Sequence, residues 1–512
     1  RRVLFRSGIY SSLTKIRRKV FVEVAKLAYE GNDYSRIEDL PYKIIPGEVA
    51  TYRDSIFLER AIVGERLRLT MGLSLRPIDK PAPISKGIEE SIIADKYYEP
   101  PLINIIKFAC NKCEENKYEV SNGCQACLAH PCIEICPKNA ISFKNGKAYI
   151  DQDKCIKCGL CKNNCPYDAI LKKERPCAKA CGMNAIESDE YGNAHINYDK
   201  CVSCGMCLVS CPFGAIADKS QIFQLIQAIK NGDEIIAAVA PAFIGQFGPK
   251  VTPEVLKKAM RELGFKDVVE VAIGADLCTI DEANDFLEKV PEKQPFMATS
   301  CCPSWSMMAK KEFPEFKSYI SMALTPMVLT ARLIKEKHPN SRVVFIGPCA
   351  AKKLEASRKS VRSEVDFVLT FEEVGAMFEA KGIDLSTLEA DPNDSFTQAS
   401  GDGRGFAVSG GVAKAVVNCI KAKRPDYNVL VESAEGLENC KKMLKLAKKG
   451  KYDGYLLEGM ACPGGCVAGA GTLLPINRAS NAVKKYTSTS KTMNANDSEY
   501  KEYLDLLIEK YK

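Results

Sequence analysis

Five cysteines stand in three short stretches of the C-terminal half: TSCCPSW (299–305), GPCAAKK (347–353) and EGMACPGGCVAGAG (458–471). Thiolates gathered in this way suit soft metal ions and iron–sulfur clusters. A 4Fe–4S cubane takes four of them, so among Cys301, Cys302, Cys349, Cys462 and Cys466 one is left over. Cys301 and Cys302 are adjacent. In extended chain their side chains point to opposite faces, and a disulfide between neighbours would be strained. Two different jobs are therefore expected of the two thiols.

A further 16 of the 24 cysteines lie between positions 110 and 218. Two quartets are regular: Cys155, Cys158, Cys161, Cys165 and Cys201, Cys204, Cys207, Cys211, each spaced C-x2-C-x2-C-x3-C-P. This is the bacterial ferredoxin pattern, in which the fourth cysteine serves the other cluster of a pair. A looser quartet, Cys124, Cys127, Cys132 and Cys136, precedes the first, and a half-quartet, Cys177 and Cys181, precedes the second. The missing pair is supplied upstream by Cys110 and Cys113. The predicted ligand sets are Cys124, Cys127, Cys132 with Cys165; Cys155, Cys158, Cys161 with Cys136; Cys201, Cys204, Cys207 with Cys181; and Cys110, Cys113, Cys177 with Cys211. The alternative for the split set is a zinc site made of Cys110, Cys113, Cys177 and Cys181.

Composition agrees with cluster binding. A disulfide scaffold is short and secreted, whereas this chain has 512 residues and opens on no basic segment followed by an apolar one. The expectation is a cytoplasmic protein. Three histidines make a histidine-built zinc, copper or haem site a poor fit. No run of 18 apolar residues occurs, so no membrane span is expected. The formal charge of +8 counts every cysteine as neutral. Five cubanes would add about −10, because ligating thiols are deprotonated, so the charge gives no reason to expect nucleic-acid binding. The lysines of KCIKCGLCKNNC (154–165) suit an acidic electron carrier.

The elements that must position these residues fall into four regions. Residues 1–105 hold two amphipathic helical stretches, IYSSLTKIRRKVFVEVAKLAYE and SIFLERAIVGERLRLTMGL, read as a helical cap packed on the rest. Residues 106–220 repeat with a spacing of 46 between Cys155 and Cys201, and each half carries a hairpin-like stretch, ISFKNGKAYIDQDKC or ESDEYGNAHINYDKC. Two ferredoxin-like α+β modules in tandem are predicted. Residues 221–485 alternate strands (EIIAAVAPAF, KDVVEVAI, PFMATS, RVVFIG, VDFVLTF, YNVLVES, YDGYLLEGM) with helices. The expected fold is α/β, two lobes of mostly parallel sheet flanked by helices. Ligands of such sheets gather at carboxyl strand ends, where the three cysteine stretches lie. Residues 486–512 read as a polar linker and a short helix.

Taken in order, the three stretches resemble the signature loops of the iron-only (FeFe) hydrogenases, and the cysteine-rich region before them resembles that family's electron-relay clusters. The CCP form of the first loop, the helical start and the split cluster motif are similar to a clostridial, group B-like subgroup. The resemblance implies reversible H2 oxidation and proton reduction at an H-cluster, with electrons relayed through four accessory 4Fe–4S clusters to a ferredoxin-type carrier. It implies partners in H2, protons and maturation proteins, and none in nucleic acid or membrane. Cys302, Cys349, Cys462 and Cys466 would hold the cubane. Cys466 would bridge to a two-iron unit carrying CO, cyanide and an azadithiolate. Cys301 would be the spare thiol, passing protons to the dithiolate amine. Lys352 would hydrogen-bond a cyanide, and Met460, Pro241, Ala242, Pro348 and Met327 would surround the two-iron unit. The proton relay would run from Cys301 through Glu282 and Ser321 to Asp285.

Several positions depart from the common family pattern: Asp285 for a glutamate, Gly347 for a methionine, Met327 for a glutamine and Ala242 for a serine. Cys278, Cys419 and Cys440 are read as buried free thiols. Two other functions stay open on the sequence: a non-catalytic relative that binds cubanes alone, and a slow hydrogen-sensing protein. GDGRG (401–405) lacks a clear preceding strand and carries no dinucleotide reading.

Overall fold

The computed structural model describes residues 11–31, 33–93, 100–358, 361, 363–391, 394, 396 and 398–510. Two parallel sheets organise the large C-terminal part. One has four strands in the order Asp267–Glu270, Ile235–Val239, Arg342–Gly347, Phe367–Thr370; the other has three, Met297–Ala298, Tyr455–Met460, Leu430–Glu435. All seven lie where the sequence predicts strands. The central strands Ile235–Val239 and Arg342–Gly347 are apolar on both faces and almost wholly buried, as expected of parallel strands covered by helices on either side. Helix Ala272–Lys289 packs against Pro326–Lys337 and Gly411–Lys423.

The N-terminal helix predicted from Ile9 runs Ser12–Glu30, with residues 9 and 10 outside the described part. Ser11 caps it through Thr14 N–H, and Gly31 ends it at φ 77°. Its apolar face, with Val24, Ala25 and Ala28 fully buried, packs on Ile222–Lys230 and Phe371–Lys381. The cap thus shares one core with the four-stranded sheet.

The two ferredoxin-like modules are nested, where the sequence suggested a tandem. Strand Ile103–Ile105 pairs antiparallel with Ile216–Asp218, and Lys117–Val120 with Ile170–Lys173. The first module is therefore inserted between the opening strand of the second and its remainder. The hairpins fall as predicted, Ile141–Lys144 with Lys147–Ile150 and Ile186–Ser188 with Ala194–Ile196. Asn145 and Gly146, both at positive φ, turn the first of them. Buried Arg175 staples the splice point. Its guanidinium donates to the Cys113 carbonyl at 2.9 and 3.2 Å, and to the carbonyls of Glu187 and Gly192.

Helix Ile476–Thr487 and the short helix Leu504–Glu509 close the chain, the latter held by Arg332 Nη1 on the Leu507 carbonyl at 2.8 Å. Among the described residues, no helix is long and apolar enough to cross a membrane.

Candidate functional site

All 24 cysteines are free of disulfides. In the nested modules they gather in small cavities. One is lined by Cys124, Cys127, Cys132 and Cys165, a second by Cys155, Cys158, Cys161 and Cys136, a third by Cys110, Cys113, Cys177 and Cys211. Each measures about 20 Å³. Cys181 lies within electrostatic reach of Cys201, Cys204 and Cys207. The structure thus groups Cys177 with Cys211 and separates it from Cys181. Among the described residues, no three His, Cys, Asp or Glu side chains are arranged around a single metal ion. The grouping of Cys177 with Cys211 follows the split cubane set rather than the zinc alternative.

The backbone repeats with the motif. The residue before the second cysteine of the leading CxxC in each set is left-handed: Lys112, Ala126, Lys157 and Ser203. So is the third residue after Cys136, Cys165, Cys181 and Cys211: Asn139, Asp168, Asn184 and Gly214. Non-glycine residues pay about 1–2 kcal/mol for that conformation, and its benefit is visible in the amides it directs. The N–H groups of Ala140, Ala169 and Ala185 donate to Cys136, Cys165 and Cys181 Sγ at 3.3, 3.4 and 3.3 Å. Lys157 and Ser203 N–H donate to Cys155 and Cys201 Sγ at 3.4 Å. Amide donors aimed at sulfur stabilise a thiolate or a sulfur-bound cluster.

In the large domain, the three cysteine loops follow strands of both parallel sheets and meet at one cavity. Cys302 precedes helix Pro303–Glu312 and Cys349 precedes Ala350–Ala356, so both thiols sit at helix N-termini, where negative sulfur is favoured. Trp305 fixes two of the loops to each other. It is fully buried, and its Nε1–H donates to the Thr299 carbonyl at 2.9 Å. A Cβ on Gly459 would lie 2.2 Å from its ring. Gly469 does the same for the second and third loops, since a Cβ there would lie 2.4 Å from the Pro348 carbonyl oxygen. Only glycine permits these approaches.

The loops enclose an apolar-walled cavity of about 90 Å³, lined by Cys301, Cys302, Cys349, Cys462 and Cys466. Pro241, Ala242, Met327, Pro348, Lys352 and Met460 line it as well. By the same measure it is more than four times a cavity of the modules. Cys204 of the nested modules also reaches this wall. There a Cβ on Gly205 would lie 2.9 Å from Ala470 Cβ, and Ser304 Oγ donates to the Val202 carbonyl at 3.1 Å.

Adjacent Cys301 and Cys302 face different neighbours. Cys302 lies within electrostatic reach of Cys349, Cys462 and Cys466. The groups acting most on Cys301 are Glu282 and Cys278. Burial first, then the Glu282 carboxyl, pushes the Cys301 thiol well above its ordinary value, beyond what an isolated thiol suggests. Burial also raises the Glu282 carboxyl to about 8, against the lowering effect of the Ser300 N–H and the Ser321 hydroxyl. Glu282 Oε1 accepts from Ser300 N–H at 3.2 Å, while the buried Oε2 has no hydrogen-bond partner among the described residues. Asp285 lies one turn further along the same helix, partly exposed and paired with Lys289 at 2.7 Å.

Lys352 is buried and pairs with Glu355 one turn on, at 2.5 Å. Lys353, fully buried, bonds Asp218 and Glu373 at 2.8 and 2.9 Å and ties the second loop to the end of the modules. Phe345 accounts for Gly347: a Cβ there would meet the Phe345 ring at 2.6 Å, and that ring lines the cavity. Phe345, Phe406, Glu355 and Glu458 are functional neighbours that sequence reasoning missed. Glu355 carried a signal, its spacing of three from Lys352. Glu458 holds the start of helix Gly411–Lys423 by accepting from Gly410 and Ala413 N–H, both at 2.8 Å; nothing local announces that contact.

Four-cysteine cavities in ferredoxin-like modules, leading to a cysteine pocket in the large domain, define an iron–sulfur protein. Residues 233–470 match the family "Iron only hydrogenase large subunit, C-terminal domain". Residues 148–171 match a 4Fe-4S binding domain and 171–222 the LdpA Fe-S cluster-binding domain. Iron hydrogenase 1 of Clostridium pasteurianum is 28% identical over 427 residues, 72% of this chain and 73% of that protein. The periplasmic Fe hydrogenase large subunit of Nitratidesulfovibrio vulgaris is 31% identical over 372 residues, 63% of this chain and 85% of that protein. A cytosolic Fe-S cluster assembly factor of Danio rerio is 28% identical over 277 residues, 44% of this chain and 67% of that protein. The chain belongs to the iron-only hydrogenase family, and it binds 4Fe–4S clusters.

Proposed function

We propose that this protein is a hydrogenase of the CCP-type, group B-like subgroup, with an H-cluster in the large cavity and four accessory cubanes in the nested modules. The carrying observation is the size and lining of that cavity. Four cysteines account for a cubane, yet the space exceeds a single-cubane cavity more than fourfold, and the excess is walled by Met460, Met327, Pro241 and Phe345. These residues fit a second, bulky inorganic group beside the cubane. Cys302, Cys349, Cys462 and Cys466 would hold the cubane, Cys466 would bridge to the two-iron unit, and Lys352 would face a cyanide. When bound, the H-cluster supplies the reversible splitting of H2 into protons and electrons.

The chain's own residues manage what enters and leaves. The apolar wall excludes water. Cys301 Sγ holds a proton at the pocket edge, because burial disfavours its thiolate. Glu282, its nearest carboxyl, is poised near neutrality to accept that proton on the unpartnered Oε2. Ser321 stands beside Glu282, and Asp285 opens the path to solvent. Cys204 brings the accessory clusters to the cavity wall. At the other end Cys158 is exposed, a place for a ferredoxin-type carrier to take electrons. Reduced cysteines throughout suit a cytoplasmic protein, served there by maturation proteins.

The match to an Fe-S assembly factor keeps a second reading, a protein that carries cubanes alone; a slow hydrogen sensor would differ only in rate. The test is viologen reduction under H2 by protein matured with the two-iron cofactor. Wild type turns over, and Cys301→Ala loses at least about a hundredfold with iron content unchanged. Equal turnover in the variant overturns the relay, and an inert wild type overturns the hydrogenase reading.

A further inference from the structure

Three arginines converge on one of the four cysteine sets of the nested modules. Buried Arg175 lines the cavity of Cys110, Cys113, Cys177 and Cys211 and donates to the Cys113 carbonyl. Arg66, buried on helix Ile56–Thr70, donates from Nη2 to the carbonyl of Gly214, three residues after Cys211. It lies within electrostatic reach of the Cys211 sulfur. Arg53 donates from Nη2 to the Phe213 carbonyl at 2.6 Å and to the Ala109 carbonyl at 3.0 Å. It thereby ties the segment before Cys110 to the segment after Cys211. Glu59 fixes the stretch that carries Arg53 by accepting from the Thr51 and Arg53 amides, both at 2.8 Å. Two of the three arginines belong to the N-terminal cap, which gives that cap a task besides packing.

The charges around the other sets are of a different kind. The cavity of Cys124, Cys127, Cys132 and Cys165 is lined by no charged side chain among the described residues. That of Cys155, Cys158, Cys161 and Cys136 is lined by Lys138, and Lys311 reaches Cys201; both lysines are exposed. Solvent screens exposed charges far more than buried ones. Amide donors to sulfur occur in all four sets, Ala194 N–H on Cys110 Sγ at 3.4 Å among them, and do not separate the sets. Two carboxylates reach Arg66, but Glu372 pairs with Arg17 at 2.6 Å and Asp218 with Lys353 at 2.8 Å. A buried cation without an anion is costly. Four thiolates and their cubane, about −2 in sum, supply that anion.

We propose that Arg53, Arg66 and Arg175 give the set of Cys110, Cys113, Cys177 and Cys211 the highest reduction potential of the four accessory clusters, so that the relay stores an electron there. The inference rests on the four-cubane reading of the modules. Reduction adds one electron and takes the thiolate-bound cubane from about −2 to about −3, with no bond formed or broken. The electron comes from the external carrier or from the adjoining set, whose Cys207 lies within electrostatic reach of Cys177. Cluster potentials follow net charge, hydrogen bonding and solvent exposure. Burial of Cys177 and Cys211 opposes the added negative charge. The same low dielectric strengthens its attraction to three guanidinium groups, and that attraction decides the balance.

A dithionite titration of the cluster-loaded full chain, followed by electron paramagnetic resonance, tests the proposal. Cys113→Ser marks the signal of the split set by altering or abolishing it. In wild type that signal should appear at the highest potential of the four module clusters. Arg66→Gln should disfavour its reduction at least tenfold, about 59 mV for one electron. Arg66→Lys, which keeps the charge, should return most of the wild-type value. Arg53→Gln should shift the same signal in the same direction, with melting temperature and iron content confirming that each variant is folded and loaded. A marked signal that is not the highest, or a shift under threefold in both glutamine variants, overturns the inference. An equal shift in Arg66→Lys makes the effect one of packing and also overturns it. Iron short by one cubane, with no signal sensitive to Cys113→Ser, removes the split set itself and with it the four-cubane reading.

Discussion

The nested modules and the large domain solve the same problem, holding thiols around iron, in opposite ways. In the modules each set takes most of its thiols from a local motif, the split set of Cys110, Cys113, Cys177 and Cys211 apart, and the shaping is done by strained residues next to the sulfur, such as Lys157 at φ 58°. In the large domain the five thiols come from positions 301 to 466, and the shaping is done by distant packing, with Trp305 wedged over Gly459. The first design tolerates an exposed rim, where Cys158 reaches solvent. The second needs the whole fold to be correct before the pocket exists, and it gives enclosure in return.

The largest break in this comparison should come from Gly459→Ala. The added methyl overlaps the buried Trp305 ring, and overpacking of this kind costs about 3 kcal/mol. Iron analysis and melting should show the large-domain clusters lost while the module clusters persist. Loss of the module clusters as well would mean that the two regions do not fold as separately as their ligand sets suggest.

Glu282→Gln comes next. Turnover of the matured protein should fall about a hundredfold. The carboxyl is raised to about 8 from its ordinary value of 4.5. Its folded-state value lies above its unfolded one, so wild type loses stability as pH rises between them. Melting temperatures from pH 5 to pH 9 should therefore fall more steeply for wild type than for the glutamine variant. Parallel curves would place Glu282 in a more polar setting than its burial indicates.

Arg175→Ala should destabilise the modules by about 2 kcal/mol, because the Cys113, Glu187 and Gly192 carbonyls lose a charged donor. The set formed by Cys110, Cys113, Cys177 and Cys211 should lose iron first, and equal loss from every set would show that the splice point is not the weak seam. Lys157→Gly is the smallest change. Relief of the left-handed strain is offset by glycine's entropy, leaving a gain of under about 1 kcal/mol in a denaturation midpoint.

Sequence reading reached furthest where spacing is local. The CxxC sets, the hairpins and the seven strand positions could be seen because pattern and structure share a short range. The strand-end rule brought the three cysteine loops together, but which thiol stands apart came from family resemblance, since Cys301 and Cys302 differ only in what lies across from them. The nesting of the modules was hidden because Ile103–Ile105 is too short to announce a partner more than a hundred residues away. Phe406 and Glu458 were missed for the same reason: their roles depend on neighbours brought in by the fold. GDGRG, set aside as a weak nucleotide motif, lines a cavity behind the cysteine pocket.

Infrared spectroscopy of the protein matured with the two-iron cofactor tests most directly whether the large cavity holds more than a cubane. Sharp CO and cyanide bands that shift under H2 are predicted, with Cys301→Ala keeping the bands but losing most of the response. A spectrum empty of such bands in protein whose cubanes are fully loaded would contradict the hydrogenase reading and leave an iron–sulfur protein that carries electrons or clusters alone.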